Sequence, residues 1–225
     1  MTTFPLGELP DLHKIQDIKQ GTQEWHEQRM GLLTASRFGH LCQRGRGKDN
    51  EWGLTAWSYI YQCIAEKLGA GFEREFTPIA CQWGNDFEDE AIAAYEKITG
   101  NTVERVGFIE YIPDLCGGSP DGLIGNDGVL EVKCPHNPLI HIKTLISGIV
   151  EDNTYMLQMQ GYMMITGRIW CDFVSYDPRV SHEKLRCKII RVPRNQDTID
   201  MLEDRIGKAG RIIDDMYDKV MAGIQ

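Results

Sequence analysis

Residues 119–133 read Ser119-Pro120-Asp121-Gly122-Leu123-Ile124-Gly125-Asn126-Asp127-Gly128-Val129-Leu130-Glu131-Val132-Lys133, and the fold turns on how they pair. Asn126-Asp127-Gly128 predicts a tight hairpin, because Asn and Gly accept the positive φ angles of such a turn. Beyond it, Leu130 and Val132 alternate with Glu131 and Lys133. A strand points every second side chain the same way. Glu131 and Lys133 therefore share a face, and the hairpin folds Asp121 back beside them. Two carboxylates and an ammonium converging at a strand end can hold a divalent cation and activate water. A plainer role suits the same residues: Asp-Gly is ordinary turn chemistry, and Glu-x-Lys is common on solvated strand faces.

The 225 residues fit one domain spanning 1–225, and 42% hydrophobic with 25% charged residues is the balance of a globular chain with a real core. No apolar run approaches the ~20 residues that span a bilayer. The N-terminus carries Pro5, Glu8, Pro10 and Asp11 and lacks the basic and apolar regions of a secretory signal, so a cytoplasmic protein is expected. Seven cysteines (42, 63, 81, 116, 134, 171 and 187) form no Cys-x-x-Cys pair, which predicts reduced thiols rather than disulfides or zinc. The net charge of −9 runs against a nucleic-acid-binding surface, which should be basic. A local basic groove can coexist with an acidic exterior, and Arg44-Gly45-Arg46-Gly47-Lys48 is the strongest positive cluster.

Along the chain, 1–20 predicts an N-terminal arm. A short helix over Gln23–Arg29, capped by Thr22, ends at Gly31, and a second helix starts near Thr34 or Ser36. That places Arg29, Thr34 and Ser36 near a helix N-terminus, where a phosphate is favoured; on these residues alone, Ser36 as a simple cap and Arg29 paired with a surface acid is the better reading. Helices are expected over Leu54–Leu68, with Trp57, Ile60, Tyr61, Ile64 and Leu68 as its stripe, and over Asn85–Thr99, with Phe87, Ala91, Ala94, Tyr95 and Ile98. Asp86, Glu88, Asp89 and Glu90 then crowd a first turn that the helix dipole favours, with Glu88 at the border of the buried face. Val103–Tyr111 reads as one strand. A helix around Leu139–Ser147 and another capped by Asn153 and running to Thr166 follow. In the latter, Tyr155, Gln158 and Tyr162 share one face, and Gln158 is either a satisfied core amide or a site residue. Strands over Ile169–Tyr176 and Leu185–Val192 precede a long helix over 195–222.

The combined motifs are Trp25-His26 with Arg29, Gly31 and Thr34-Ala35-Ser36; Trp83-Gly84 with Glu88; Ser119-Pro120-Asp121-Gly122; Leu130-Glu131-Val132-Lys133-Cys134-Pro135; Gln158 with Gln160; and Tyr176-Asp177-Pro178-Arg179. In this order and spacing the chain resembles the phage lambda-type alkaline exonucleases, the YqaJ-like viral recombinases of the restriction-endonuclease-like, PD-(D/E)XK, nuclease superfamily. The resemblance implies an α/β (α+β) fold with a restriction-endonuclease-like core, a central mixed β-sheet flanked by helices. It implies 5′-to-3′ digestion of one strand from double-stranded DNA ends, a homotrimer ring threaded by DNA, and a single-strand annealing protein as partner in phage-type recombination. It further implies a phage- or prophage-encoded protein in a bacterial host.

By the same resemblance, Asp121 and Glu131 correspond to ligands of Mg2+, with Mn2+ as a substitute and the Val132 carbonyl as a further oxygen. Lys133 corresponds to the residue that orients or activates the attacking water, its ammonium pKa falling beside the cation. Glu88 corresponds to a carboxylate completing the metal site and Gln158 to an amide lining it. Arg29, Ser36 and Ser119 correspond to a 5′-phosphate pocket with Thr34 assisting, and Arg44, Arg46 and Lys48 are expected to face the bore. Two departures stand out: Cys81 occupies the place of a strand-separating leucine, leaving that role to Ile79, Trp83 or a residue elsewhere, and the segment before Ser119 is one residue shorter, which leaves Asp114 out of the site. The rival readings are a site- or structure-specific endonuclease on the same core and a non-catalytic DNA-end-binding protein.

Overall fold

Strand β6 (Gly128–Lys133) is apolar enough to be enclosed, and it forms the axis of the molecule. The computed structural model describes residues 18–46, 50–70 and 79–223. β6 runs antiparallel to β5 (Gly122–Ile124) in the register Gly122↔Leu130, and parallel to β7 (Trp170–Tyr176) in the register Glu131↔Phe173. A parallel neighbour demands a crossover; here it contains α5 (Pro138–Ser147) and α6 (Asn153–Thr166). β2 (Val103–Glu104) and β8 (Cys187–Pro193) complete a mixed five-stranded sheet in the order β2-β5-β6-β7-β8. A smaller sheet, β1-β4-β3, joins Leu33–Thr34, Cys116–Gly118 and Ile109–Ile112.

The two faces of the large sheet are built differently. Leu130 and Val132 face a cluster containing Ala91, Ile92 and Tyr95 of α4 (Ile79–Thr99). Val129 and Phe173 face the larger core, in which α6 is buried on every side from Leu157 to Thr166. Outside α6 lie α3 (Leu54–Lys67) and the long α7 (Gln196–Ala222), whose Ile199, Leu202, Ile206, Ala209 and Ile213 form the expected seam. The mixed sheet flanked by helices is thus as expected, and all seven cysteines are free.

Several local expectations are corrected. The hairpin turns on Gly125-Asn126-Asp127, with the positive φ at Gly125 (51°). Gly128 is already in the strand, where a Cβ would run into the Trp170 ring. Val103–Tyr111 is two strands in two sheets, because the chain passes from one sheet to the other over residues 105–108. α4 begins at Ile79, so Asp86–Glu90 lie beyond its first turn and the dipole argument does not reach them; Ile92 is buried there and Ile98 is exposed. In α3 the buried face carries Tyr59 and Cys63 instead of Tyr61 and Leu68. Asp152, not Asn153, caps α6, its carboxylate accepting from Thr154 N. Leu185 belongs to a 3₁₀ turn ahead of β8. The expected arm lies outside the described residues as far as residue 17.

Candidate active site

Gly122 is the last residue of β5 paired with β6, so the strand edge beyond Leu130 is open. Asp121 closes it: its Oδ2 accepts from Val132 N at 2.6 Å. A strand residue directs its N–H and C=O to the same neighbour, and so the Val132 carbonyl faces the same gap as Asp121. Alternation sends Glu131 and Lys133 to the α6 face, as expected. There Glu131 is 1% exposed, its Oε1 accepting from Gln158 Nε2 at 2.8 Å and paired with the Lys133 ammonium. Glu131 Oε2 is buried and has no hydrogen-bond partner among the described residues.

A second group arrives from the N-terminal part of the chain. Thr22 caps α1 (Gln23–Gln28) through Trp25 N, so Trp25 leaves the first turn and its Nε1 donates to Ser119 Oγ at 2.9 Å. The Arg29 guanidinium carbon lies 3.7 Å from the Trp25 ring centroid. Thr34 is buried, its N–H donating to Tyr59 Oη at 2.6 Å, with Ser36 Oγ 3.5 Å from its hydroxyl. No long helix starts here, only one 3₁₀ turn (Ala35–Arg37) and α2 (Phe38–Leu41), so the expected helix N-terminus is absent as an anion site. Even so, Arg29, Thr34, Ser36, Ser119, Asp121, Glu131, Lys133 and Gln158 all line one cavity of ≈170 Å³. Gly118 lets this happen, since a Cβ there would press on Ala35, Tyr162 and Ile165.

The electrostatics explain why the acids are strained. Burial, then repulsion from Glu131 and Glu88, raises the Asp121 carboxyl well above its usual range. Burial raises Glu131 too, with Lys133 opposing. For Lys133, burial disfavours the charge, but Glu131 and Asp121 outweigh it and the pKa rises. This rise belongs to the site without a cation, where the charges of Glu131 and Asp121 act on Lys133 directly. A buried carboxylate oxygen without a partner, beside a second carboxyl and an open backbone carbonyl, fits an oxygen-seeking divalent cation. Magnesium binds through one or two carboxylates and retains several waters. Among the described residues no group of three or more His, Cys, Asp and Glu encloses a metal.

Some expected residues stand elsewhere. Glu88 does not line the cavity; its carboxylate accepts from Arg105 Nη2 at 2.8 Å, while its charge still reaches Asp121. Arg46 is exposed and outside the cavity, Arg44 lines a different one, and Lys48 lies outside the described residues. That other cavity, ≈540 Å³, has Arg44, Arg194 and Arg205 but no acid to support metal chemistry. Cys81 is exposed; Trp83 packs between Phe87 and Arg179, and Ile79 is exposed at the start of α4. Arg179 clamps both Asp177 oxygens and the carbonyls of Pro135 and His136, which ties the end of β7 to the chain leaving β6.

Three residues of the site went unassigned in the sequence. Trp25 and Tyr162 had signals, a motif and a shared helix face with Gln158. Tyr162 Oη accepts from Gln158 and donates to Ser119 O at 3.0 Å. Gln20, which holds Val106 O and Pro120 O, gave none.

A family model of the YqaJ-like viral recombinase domain matches residues 24–169. An alkaline exonuclease (LHK-Exo) from Laribacter hongkongensis is 32% identical, with a TM-score of 0.79 over 90% of this chain and 98% of that one. Its complex with dAMP aligns equally well. A phage-related exonuclease from Haemophilus somnus 129PT is 18% identical, with a TM-score of 0.65 over 86% of this chain and 96% of that one, and shares the fold. No curated protein matches.

Proposed function

The chain belongs to the YqaJ-like viral recombinase family and is a nuclease, and from that premise we propose that it is a magnesium-dependent exonuclease. It digests one strand of linear double-stranded DNA from the 5′ end and leaves 3′ single-stranded overhangs for strand annealing. The observation that carries this reading is the single cavity holding Asp121, Glu131 and Lys133 together with Arg29, Ser36 and Ser119. Acids and phosphate-seeking groups so close together suit a terminal phosphate and the next phosphodiester better than an internal site.

Asp121, Glu131 and the Val132 carbonyl would hold Mg2+, or Mn2+ in its place. When bound, the ion supplies Lewis-acid charge to the scissile phosphate and acidifies water. Gln158 fixes the Glu131 carboxylate through Oε1, and Tyr162 fixes Gln158. Lys133, beside those carboxylates, orients or activates the attacking water. Arg29 supplies a guanidinium fork for a 5′-phosphate, with Ser36 and Ser119 as neutral donors and Thr34 behind them. Each cut exposes a new 5′-phosphate, which draws the strand forward by one nucleotide.

The same proposal includes a homotrimer ring and a single-strand annealing protein as partner in a bacterial cytoplasm. Exposed Leu139, Ile142, Ile146 and Ile149 on and after α5 support association, and light scattering tests it. Among the described residues no helix is long and apolar enough to cross a membrane. The deciding assay uses linear duplex labelled at either end, with magnesium. Early mononucleotide release of the 5′ label is expected. Early loss of the 3′ label, or cutting of closed circles, would refute it.

A further inference from the structure

Trp25 touches both halves of the proposed phosphate pocket. Its Nε1 donates to Ser119 Oγ at 2.9 Å, and Arg29 lies 3.7 Å above its ring. An indole N–H only donates. Ser119 Oγ is therefore an acceptor in that bond, and its own proton must point elsewhere. Among the described residues no acceptor takes that proton. The backbone of Ser119 is held independently, its carbonyl accepting from Tyr162 Oη at 3.0 Å. Ser119 is 8% exposed and lines the cavity. A fixed hydroxyl with one lone pair occupied and its proton unclaimed is a donor aimed at an anion.

The ring does separate work. A guanidinium stacked on an indole face is held by cation–π attraction, which fixes the plane of the group. We propose that Trp25 is the positioning residue of the 5′-phosphate pocket: its N–H makes Ser119 a donor, and its ring sets the place of Arg29. This rests on the phosphate-pocket reading above and adds the residue that organises it.

Trp25→Phe separates the two contributions, because it keeps an aromatic face and removes the N–H. Steady-state digestion of 5′-phosphorylated and 5′-hydroxyl linear duplexes is compared with magnesium present. Trp25→Phe should raise KM for phosphorylated ends by about tenfold, several times more than for 5′-hydroxyl ends, with the loss falling on KM more than on kcat. Ser119→Ala should do the same, and the double variant should be no worse than either single. Trp25→Ala should add the loss seen in Arg29→Ala. Unchanged KM in Trp25→Phe, or additive losses in the double variant, would overturn the inference while wild type still prefers phosphorylated ends. A wild type that treats both ends alike would overturn the pocket and the inference together. Equal loss on both ends in a variant whose melting temperature has dropped would show a merely structural tryptophan and also overturn it.

Discussion

Glu131 and Asp172 sit on neighbouring strands, one ladder step apart, both 1% exposed, and are treated in opposite ways. Asp172 faces α4 and is complete: Tyr95 Oη donates to Oδ2 at 2.7 Å, and Arg191 reaches both oxygens at 2.8 and 2.9 Å. Glu131 faces α6 and is not, with one oxygen unpartnered and Asp121 crowding it. Burying a charge is costly unless it is fully paired. One face of the sheet satisfies that condition and is a bolt; the other leaves it unmet, and the shortfall is what a cation would fill.

The largest effect expected from this contrast is on the open side. Asp121→Asn or Lys133→Ala should cut magnesium-dependent nucleotide release by about 10²–10⁴-fold, with the thermal melt of the metal-free protein unchanged or raised for Asp121→Asn. The bolt should behave inversely. Asp172→Ala should cost about 2–3 kcal/mol in denaturant unfolding, since it strands Tyr95 and Arg191, while the surviving folded enzyme keeps its kcat. A melt that falls in Asp121→Asn as far as in Asp172→Ala would erase the distinction.

A smaller effect concerns the far rim of the cavity. Arg29→Ala should slow digestion of 5′-phosphorylated ends by roughly 10–100-fold and spare 5′-hydroxyl ends in the same assay. Glu88→Gln should be mildest, under about fivefold, because Arg105 already engages that carboxylate; a loss as deep as in Asp121→Asn would make Glu88 a metal ligand after all.

The pH dependence carries the same contrast in its sign. In metal-free protein the Asp121 and Glu131 pKa values are raised by burial. Their contribution to stability is present below the unfolded values near ~4 and is lost as pH climbs through the folded ones. Asp177 is lowered by the Arg179 hydrogen bond; its contribution is present above that range and is lost as pH falls. Unfolding of Glu131→Gln across pH should flatten the high-pH decline and leave the acid limb, and Asp177→Asn should do the reverse.

Much of this was legible in the chain because it was local. Alternation in β6 places Glu131 and Lys133 on one face whatever surrounds them, and the Gly122 end of the hairpin returns Asp121 to them. Gln158 was legible as a polar residue on a buried helix, though not its choice of Glu131. What was hidden is non-local. Nothing in Val103–Tyr111 marks a change of sheet, since each half is apolar enough for either one. Glu88 has the right border position, but Arg105, in the link between the two sheets, claims it. Tyr59 outcompetes Tyr61 for the core because Thr34 N is there to meet its hydroxyl, a partner 25 residues away. Trp25 and Ser119, 94 residues apart, meet only once both sheets are built.

The central claim is that Asp121 and Glu131 together hold a divalent cation, and anomalous scattering from a crystal soaked in Mn2+ addresses it without reference to activity. The account predicts a peak between the two carboxyl groups within coordination distance of the Val132 carbonyl, absent in Asp121→Asn. A soaked crystal with no peak there, or with manganese only at another cluster, would contradict it.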